Sequence, residues 1–203
     1  MERRAHWQQV YASKAETEVS WFQERPSASL ALIRGTGLDG GARLIDVGAG
    51  ASRLVDHLVG VGWRHVTVLD IAPMALDRVR RRLGPGASQV EWLVADVTRW
   101  RPPARFDLWH DRAVFHFLTD DGDRAAYAAA MAAAVPGGGH AIVGTFALDG
   151  PERCSGLPTC RYDADGLAAA FAGHFHLVDS LTEDHRTPAG KLQRFQFCRF
   201  RRR

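Results

Sequence analysis

Apolar positions in this chain fall into short runs closed by an acid or a glycine, and these runs alternate with stretches of helical period. Leu44-Ile45-Asp46-Val47 is the first run, with Gly48-Ala49-Gly50 directly behind it; Val66-Thr67-Val68-Leu69 is the second and ends in Asp70. Runs of this length, rich in β-branched residues and bounded by turn formers, read as strands buried on both faces. The same reading gives strands over residues 43–47, 65–70, 90–95, 106–109, 140–146 and 175–180. A last strand covers 191–200, where Phe195 and Phe197 alternate with Gln196 and Cys198 in a half-buried pattern. Helices are expected over 51–61, 73–83, 122–134 and 163–172. Pro73 suits a first helical turn, where its missing N–H costs nothing, and Pro136-Gly137-Gly138-Gly139 stops the alanine-rich helix. Strands and helices in alternation predict an α/β fold, a parallel sheet with helices on both faces.

A chain of 203 residues is long enough for one domain with a full core. Three cysteines, an odd number, do not suggest a disulfide framework. The net charge of +3 is concentrated locally, in Arg78, Arg80, Arg81 and Arg82 and again in Arg199, Arg201, Arg202 and Arg203. Such clusters are more often solvated faces than binding sites, so nucleic acid is not the expected partner. Met1-Glu2-Arg3-Arg4-Ala5-His6 carries no apolar run of a secretory signal, and no segment has the length of a membrane span. The expectation is a cytoplasmic protein without a membrane partner.

The chemistry concentrates at the ends of the first two strands. Gly48 and Gly50 let the backbone approach a ligand with no Cβ in the way. Asp70, at the carboxyl end of the second strand, is placed to take two ribose hydroxyls, which points to a nucleoside-bearing cofactor. A dinucleotide fingerprint would need a third glycine where Arg53 stands. Asp46-Val47-Gly48-Ala49-Gly50 instead fits D/E-x-G-x-G without a mismatch.

These residues resemble motif I and the following acidic position of class I S-adenosylmethionine-dependent methyltransferases. Val68-Leu69-Asp70-Ile71, Ala95-Asp96-Val97, Phe106-Asp107-Leu108 and Pro136-Gly137-Gly138 resemble further motifs of that family, so that the likeness runs over about 42–200. It implies a Rossmann-like, seven-stranded, mostly parallel sheet with an antiparallel last strand and helices on both faces. It also implies an N-terminal helical arm, 1–40, before a cofactor domain, 41–203, and S-adenosylmethionine as cofactor. Asp46 would then orient the methionine end of the cofactor beside Gly48 and Gly50, and Asp70 would hold the ribose. Ile71, Asp96 and Val97 would meet the adenine, and His110 would lie close to the methyl group.

On the acceptor side the resemblance brings Asp111, Arg112 and His116 near the reaction. His116 reads either as a general base, needed only for a protonated acceptor, or as a structural histidine. Arg112 reads either as a bidentate clamp for a substrate carboxylate or as a partner of Asp111 or Asp107. The connection 147–162 is long enough to serve as an acceptor lid. Its Cys154 and Cys160, with Cys198, read as structural thiols, as an acceptor-site thiol or as a soft metalloid site; no metal is required. Trp7 and Tyr11 are expected to pack on the sheet; for Trp21 and Phe22 packing is the plainer reading and a place in the pocket the alternative. The absence of Asn-Pro-Pro-Phe/Tyr after the fourth strand speaks against methylation of a nucleic-acid base. The expected function is methyl transfer to a small-molecule nucleophile. A protein lysine methyltransferase, to which the aromatic arm bears a weak resemblance, and a non-catalytic cofactor-binding protein are the alternatives.

Overall fold

The apolar runs assemble into one seven-stranded sheet in the computed structural model, which describes residues 3–203, so that the first two positions of the expected arm lie outside it. In chain order the helices are α1 Arg3–Ser13, α2 Ser27–Gly35, α3 Leu54–Gly60, α4 Pro73–Leu83, α5 Asp121–Ala134 and α6 Ala164–Phe171. The strands are β1 Arg43–Val47, β2 His65–Asp70, β3 Val90–Val94, β4 Leu108–Arg112, β5 His140–Phe146, β6 Arg153–Cys154, β7 Leu157–Pro158, β8 Phe175–Arg186 and β9 Leu192–Arg202. The large sheet has the order β3-β2-β1-β4-β5-β9-β8, and β6 and β7 form a separate two-stranded hairpin inside the connection 147–162. β1 to β5 run parallel, while β9 is antiparallel to both of its neighbours.

Side chains alternate across a strand, and this alternation builds two cores. Leu44, Val66, Val68, Leu108 and Ile142 face α2, α3 and α4, where Leu32, Ile33, Leu54, Leu58, Leu76 and Val79 cover them. Ile45, Val47, Leu69, Trp109, Ala141 and Val143 face α5 and α6, against Tyr127, Met131, Leu167 and Phe171. Burial of a large apolar side chain contributes roughly 1.5–3 kcal/mol, so β1, β2 and β5 are fixed by their sequence alone.

Two strands depart from the expected bounds by three residues or more. β4 continues through His110, Asp111 and Arg112, which therefore belong to the sheet and do not leave it. Asp111 pairs with Val143 and Arg112 with Gly144 on β5, and this pairing holds a polar run in extended form. β8 extends to Arg186, beyond the expected 175–180, as an edge strand with mostly polar positions against β9. The extension of β4 sets the site: His110 and Arg112 fall on one face of the sheet, and Asp111 on the other.

Candidate cofactor and acceptor site

A cavity opens at the carboxyl ends of β1, β2 and β4, where open α/β sheets bind their ligands. Its cofactor side is built on the turn after β1. Gly48 and Gly50 have φ of +62° and +57°, a region open to glycine without strain. A Cβ on Gly48 would lie 1.9 Å from Cγ2 of Val114, and one on Gly50 would lie 2.2 Å from the Tyr11 hydroxyl oxygen. The Gly48 and Ala49 N–H groups both donate to the Leu69 carbonyl, which fastens the turn to β2.

Asp70 closes this cradle. One carboxylate oxygen accepts the Gly50 N–H at 2.8 Å and the other the Ala72 N–H at 2.7 Å. Each oxygen keeps a further lone pair for a ligand hydroxyl. Burial raises its pKa to about 6, against the opposing pull of those two N–H bonds.

Asp46 and His110 are register partners on β1 and β4, so their side chains share a face. His110 Nδ1 lies 2.7 Å from an Asp46 oxygen, and Nε2 lies 2.9 Å from the Ser29 hydroxyl of α2. In the neutral ring, Nδ1–H donates to the carboxylate and Ser29 donates to Nε2. The chain Ser29–His110–Asp46 thus holds the carboxylate that borders the cavity. Asp96 faces the same cavity with Ile71 and Val97. It accepts the Thr98 N–H at 3.0 Å, and Arg3 of α1 reaches across to it at 3.3 Å.

The acceptor side is walled by Phe117, Phe146 and Phe195, with Arg112, His116 and Cys154 among them. Arg112 Nη1 donates to the Trp21 carbonyl at 3.0 Å, and its guanidinium carbon stands 4.6 Å from the centre of the Phe195 ring. Burial lowers the Arg112 pKa to about 10, which leaves it cationic at neutral pH. His116 is fully buried, and its Nδ1 accepts the Phe146 N–H at 3.2 Å. Burial, with Arg112 nearby, lowers its pKa to about 3. Its one lone-pair nitrogen is therefore already occupied, which the sequence does not reveal.

Asp111 departs from expectation. It points to the α5 side of the sheet, outside the cavity, and accepts from Tyr127 Oη at 2.6 Å, Val114 N–H at 2.8 Å and Phe115 N–H at 3.0 Å. It fastens the turn after β4. The lid contributes less than expected as well, since Cys154 is its one residue lining the cavity. Cys154 packs with the α2–α4 core and Cys198 with the α5–α6 core, so the sheet separates them and they form no joint site. Among the described residues no cluster of His, Cys, Asp and Glu is arranged to hold a metal.

The arm contributes more. Trp7, Tyr11 and Trp21 line the cavity, where Trp7 also meets Phe117 edge to face at 5.0 Å. Phe22 does not line it but sits under the Arg53 guanidinium. Ser29, Arg3, Phe117, Phe146 and Phe195 are among the site residues that sequence reasoning missed. The alternation in 191–200 marked Phe195 as half-buried, and nothing local marked Ser29.

Residues 44–138 match the family described as a methyltransferase domain. The sheet order and the match over 44–138 accord with the class I S-adenosylmethionine-dependent methyltransferase expected from the sequence. Nodulation protein S of Rhizobium tropici is 30% identical over 104 residues, which are 51% of this chain and 43% of that protein. The chain spans less than half the length of the curated relatives it matches. Among solved structures, the N-methyltransferase NodS from Bradyrhizobium japonicum WM9 in complex with S-adenosylhomocysteine superposes with a TM-score of 0.72 at 19% identity, covering 97% of this chain and 98% of that one. The 1,6-didemethyltoxoflavin-N1-methyltransferase of Burkholderia thailandensis, with bound 1,6-didemethyltoxoflavin and S-adenosylhomocysteine, does so with 0.69 at 25% identity, covering 95% and 80%.

Proposed function

We propose that this chain binds S-adenosylmethionine and transfers its methyl group to a small-molecule nucleophile, with S-adenosylhomocysteine as the second product. One observation carries the reading. Gly48 of the left-handed turn, the carboxylate of Asp70 and the Asp46–His110 pair anchored by Ser29 border a single cavity. The Burkholderia relative holds a demethylated cofactor product and a small acceptor at once, which supports the same pairing here.

The residues fit the cofactor. The cradle at Gly48 and Gly50 has no room for a Cβ, Asp70 has lone pairs for two hydroxyls, and Asp46 presents a fixed carboxylate to an amino group. Ile71 and Val97 offer apolar surface to a base, with Asp96 as acceptor for its amine. When bound, the cofactor supplies an electrophilic methyl group on a sulfonium sulfur. The chain supplies orientation, and holding two reactants in line is worth several kcal/mol of barrier. Trp7, Tyr11 and Trp21 exclude water from above. His116 acts as a hydrogen-bond donor and not as a base, because Nδ1 is bonded and burial opposes the cation.

The arginine clusters support a small acceptor over nucleic acid. Arg82 pairs with Asp56 and Glu16, Arg80 with Asp77, and Arg199 with Asp179, while Arg201 and Arg202 bond to backbone carbonyls. Carboxylates thus offset Arg80, Arg82 and Arg199, which lowers the basic excess of both clusters. Cytoplasmic residence accords with three free thiols, and among the described residues no helix is long and apolar enough to cross a membrane. In this reading the arm, 1–40, closes the cleft of the cofactor domain, 41–203.

Calorimetric titration with S-adenosylhomocysteine, and with NAD in parallel, tests the cofactor. Micromolar or tighter binding of the former alone is expected; binding of NAD alone would overturn the reading. Turnover of labelled S-adenosylmethionine over an acceptor panel then separates an enzyme from a protein that binds without catalysis.

A further inference from the structure

Two side chains on the acceptor wall carry polar hydrogens that no protein atom accepts. Arg112 uses Nη1 on the Trp21 carbonyl, while its Nε and Nη2 are buried without a partner. These two nitrogens form the edge of a guanidinium that grips a carboxylate with two parallel bonds. His116 accepts the Phe146 N–H at Nδ1, so Nε2 carries the proton, and it too is buried without a partner. Both residues line the cavity, and both lie against Phe195.

We propose that the acceptor half of the cavity binds a planar, carboxylate-bearing acceptor, with Arg112 and His116 donating to the carboxylate and the phenylalanine rings holding the planar body. The proposal rests on the small-molecule methyl-transfer reading above and adds the acceptor's chemistry to it.

The wall favours this ligand for three reasons. Arg112 and His116 offer donors that lack acceptors, so a carboxylate supplies what is missing and an ammonium group supplies more of what is already there. The guanidinium keeps its charge, and His116 is held neutral by burial, which makes it a donor at any working pH. Stacking of Arg112 on Phe195 and of His116 on Phe146, at 4.5 Å between ring centres, fixes both donors in place before a ligand arrives.

Glu183 is the competitor. Its Oε2 stands 3.9 Å from Arg112 Nη2, too far for a hydrogen bond, and is itself buried without a partner, while Oε1 accepts from Gln23 at 3.0 Å. If the guanidinium edge served Glu183 alone, removal of that carboxylate would give a ligand nothing. If it serves a ligand, the same change frees the edge further.

The test uses the protein saturated with S-adenosylhomocysteine and three probes of one shape: naphthalene-2-carboxylate, naphthalene-2-carboxamide and 2-naphthylmethylammonium. The carboxylate should bind about tenfold tighter than the amide, with the ammonium weakest. Arg112→Met should erase the difference between carboxylate and amide. Glu183→Gln should raise carboxylate affinity, and this variant carries the test if Arg112→Met does not fold. Equal binding of carboxylate and amide, preference for the ammonium, no binding of any probe, or unchanged carboxylate affinity in Glu183→Gln would each overturn the proposal. Binding of S-adenosylhomocysteine in the same samples reports on the cofactor reading separately, so the two can fail independently.

Discussion

With the ribose placed on it as proposed, Asp70 ties protein stability and cofactor affinity to pH in opposite directions. Burial raises its pKa from 3.8 to about 6, so the folded chain holds that proton more tightly than the unfolded one. The group favours folding most below its unfolded pKa, and the contribution is lost as pH rises through about 6. Ribose hydroxyls need the ionised acceptor, so affinity for S-adenosylhomocysteine should fall as pH drops below about 6. Calorimetry across that range checks this, and a flat profile would remove Asp70 from the ribose site. Asp70→Ala should weaken binding by about 1–3 kcal/mol, the cost of partners left unmade. His116 makes the converse case. With its pKa lowered to about 3, it contributes no limb to a pH–rate profile near neutrality. His116→Ala should lower turnover without changing the shape of that profile; disappearance of a limb in the variant would restore the base.

α1 is the element whose contacts cross from arm to cofactor side. Arg3 bonds Asp96 and Thr98 and pairs with Asp123, while Trp7 and Tyr11 pack on Trp21. The ion pairs are partly exposed, and such pairs are worth about 0–1 kcal/mol. Arg3→Ala should therefore raise the dissociation rate of S-adenosylhomocysteine by no more than several-fold, as read by stopped-flow fluorescence of the neighbouring tryptophans. A slower rate would show that Arg3 keeps the cofactor out instead of holding the arm down. α2 works from the opposite side, since its Ser29 anchors His110 from beneath the sheet.

Across the whole molecule, local patterns are legible in the sequence and pairings between distant segments are not. β1, β2 and β5 are apolar on both faces, so composition alone marks their extent. The sequence hides the second half of β4, His110-Asp111-Arg112, because its burial depends on partners elsewhere in the chain. It hides the extension of β8 because an edge strand with a solvated face lacks an apolar signature. The glycine turn and the acids at Asp46, Asp70 and Asp96 were legible, and all three acids border the cavity. The place of Asp111 outside the cavity is not legible, because adjacency in sequence hides that neighbours in a strand face opposite ways. Ser29–His110 and Arg3–Asp96 span 81 and 93 residues and leave no local trace. Phe195 joins core and cavity, so Phe195→Ala should cost about 3–5 kcal/mol in chemical denaturation and alter acceptor choice. Affinity for S-adenosylhomocysteine should hold in the folded variant; its loss would mean that the two halves of the cavity are not separable.

The place of β9 between β5 and β8 has a consequence for synthesis on the ribosome. β8 leaves the exit tunnel first but does not pair with β5, so β5 keeps an open hydrogen-bonding edge until residues 192–202 emerge. During that interval the nucleotide cleft can already be formed, while the wall that carries Phe195 is still missing. An open edge on a mostly apolar strand is a template for aggregation, so the nascent chain is most exposed to mispairing at that one stage.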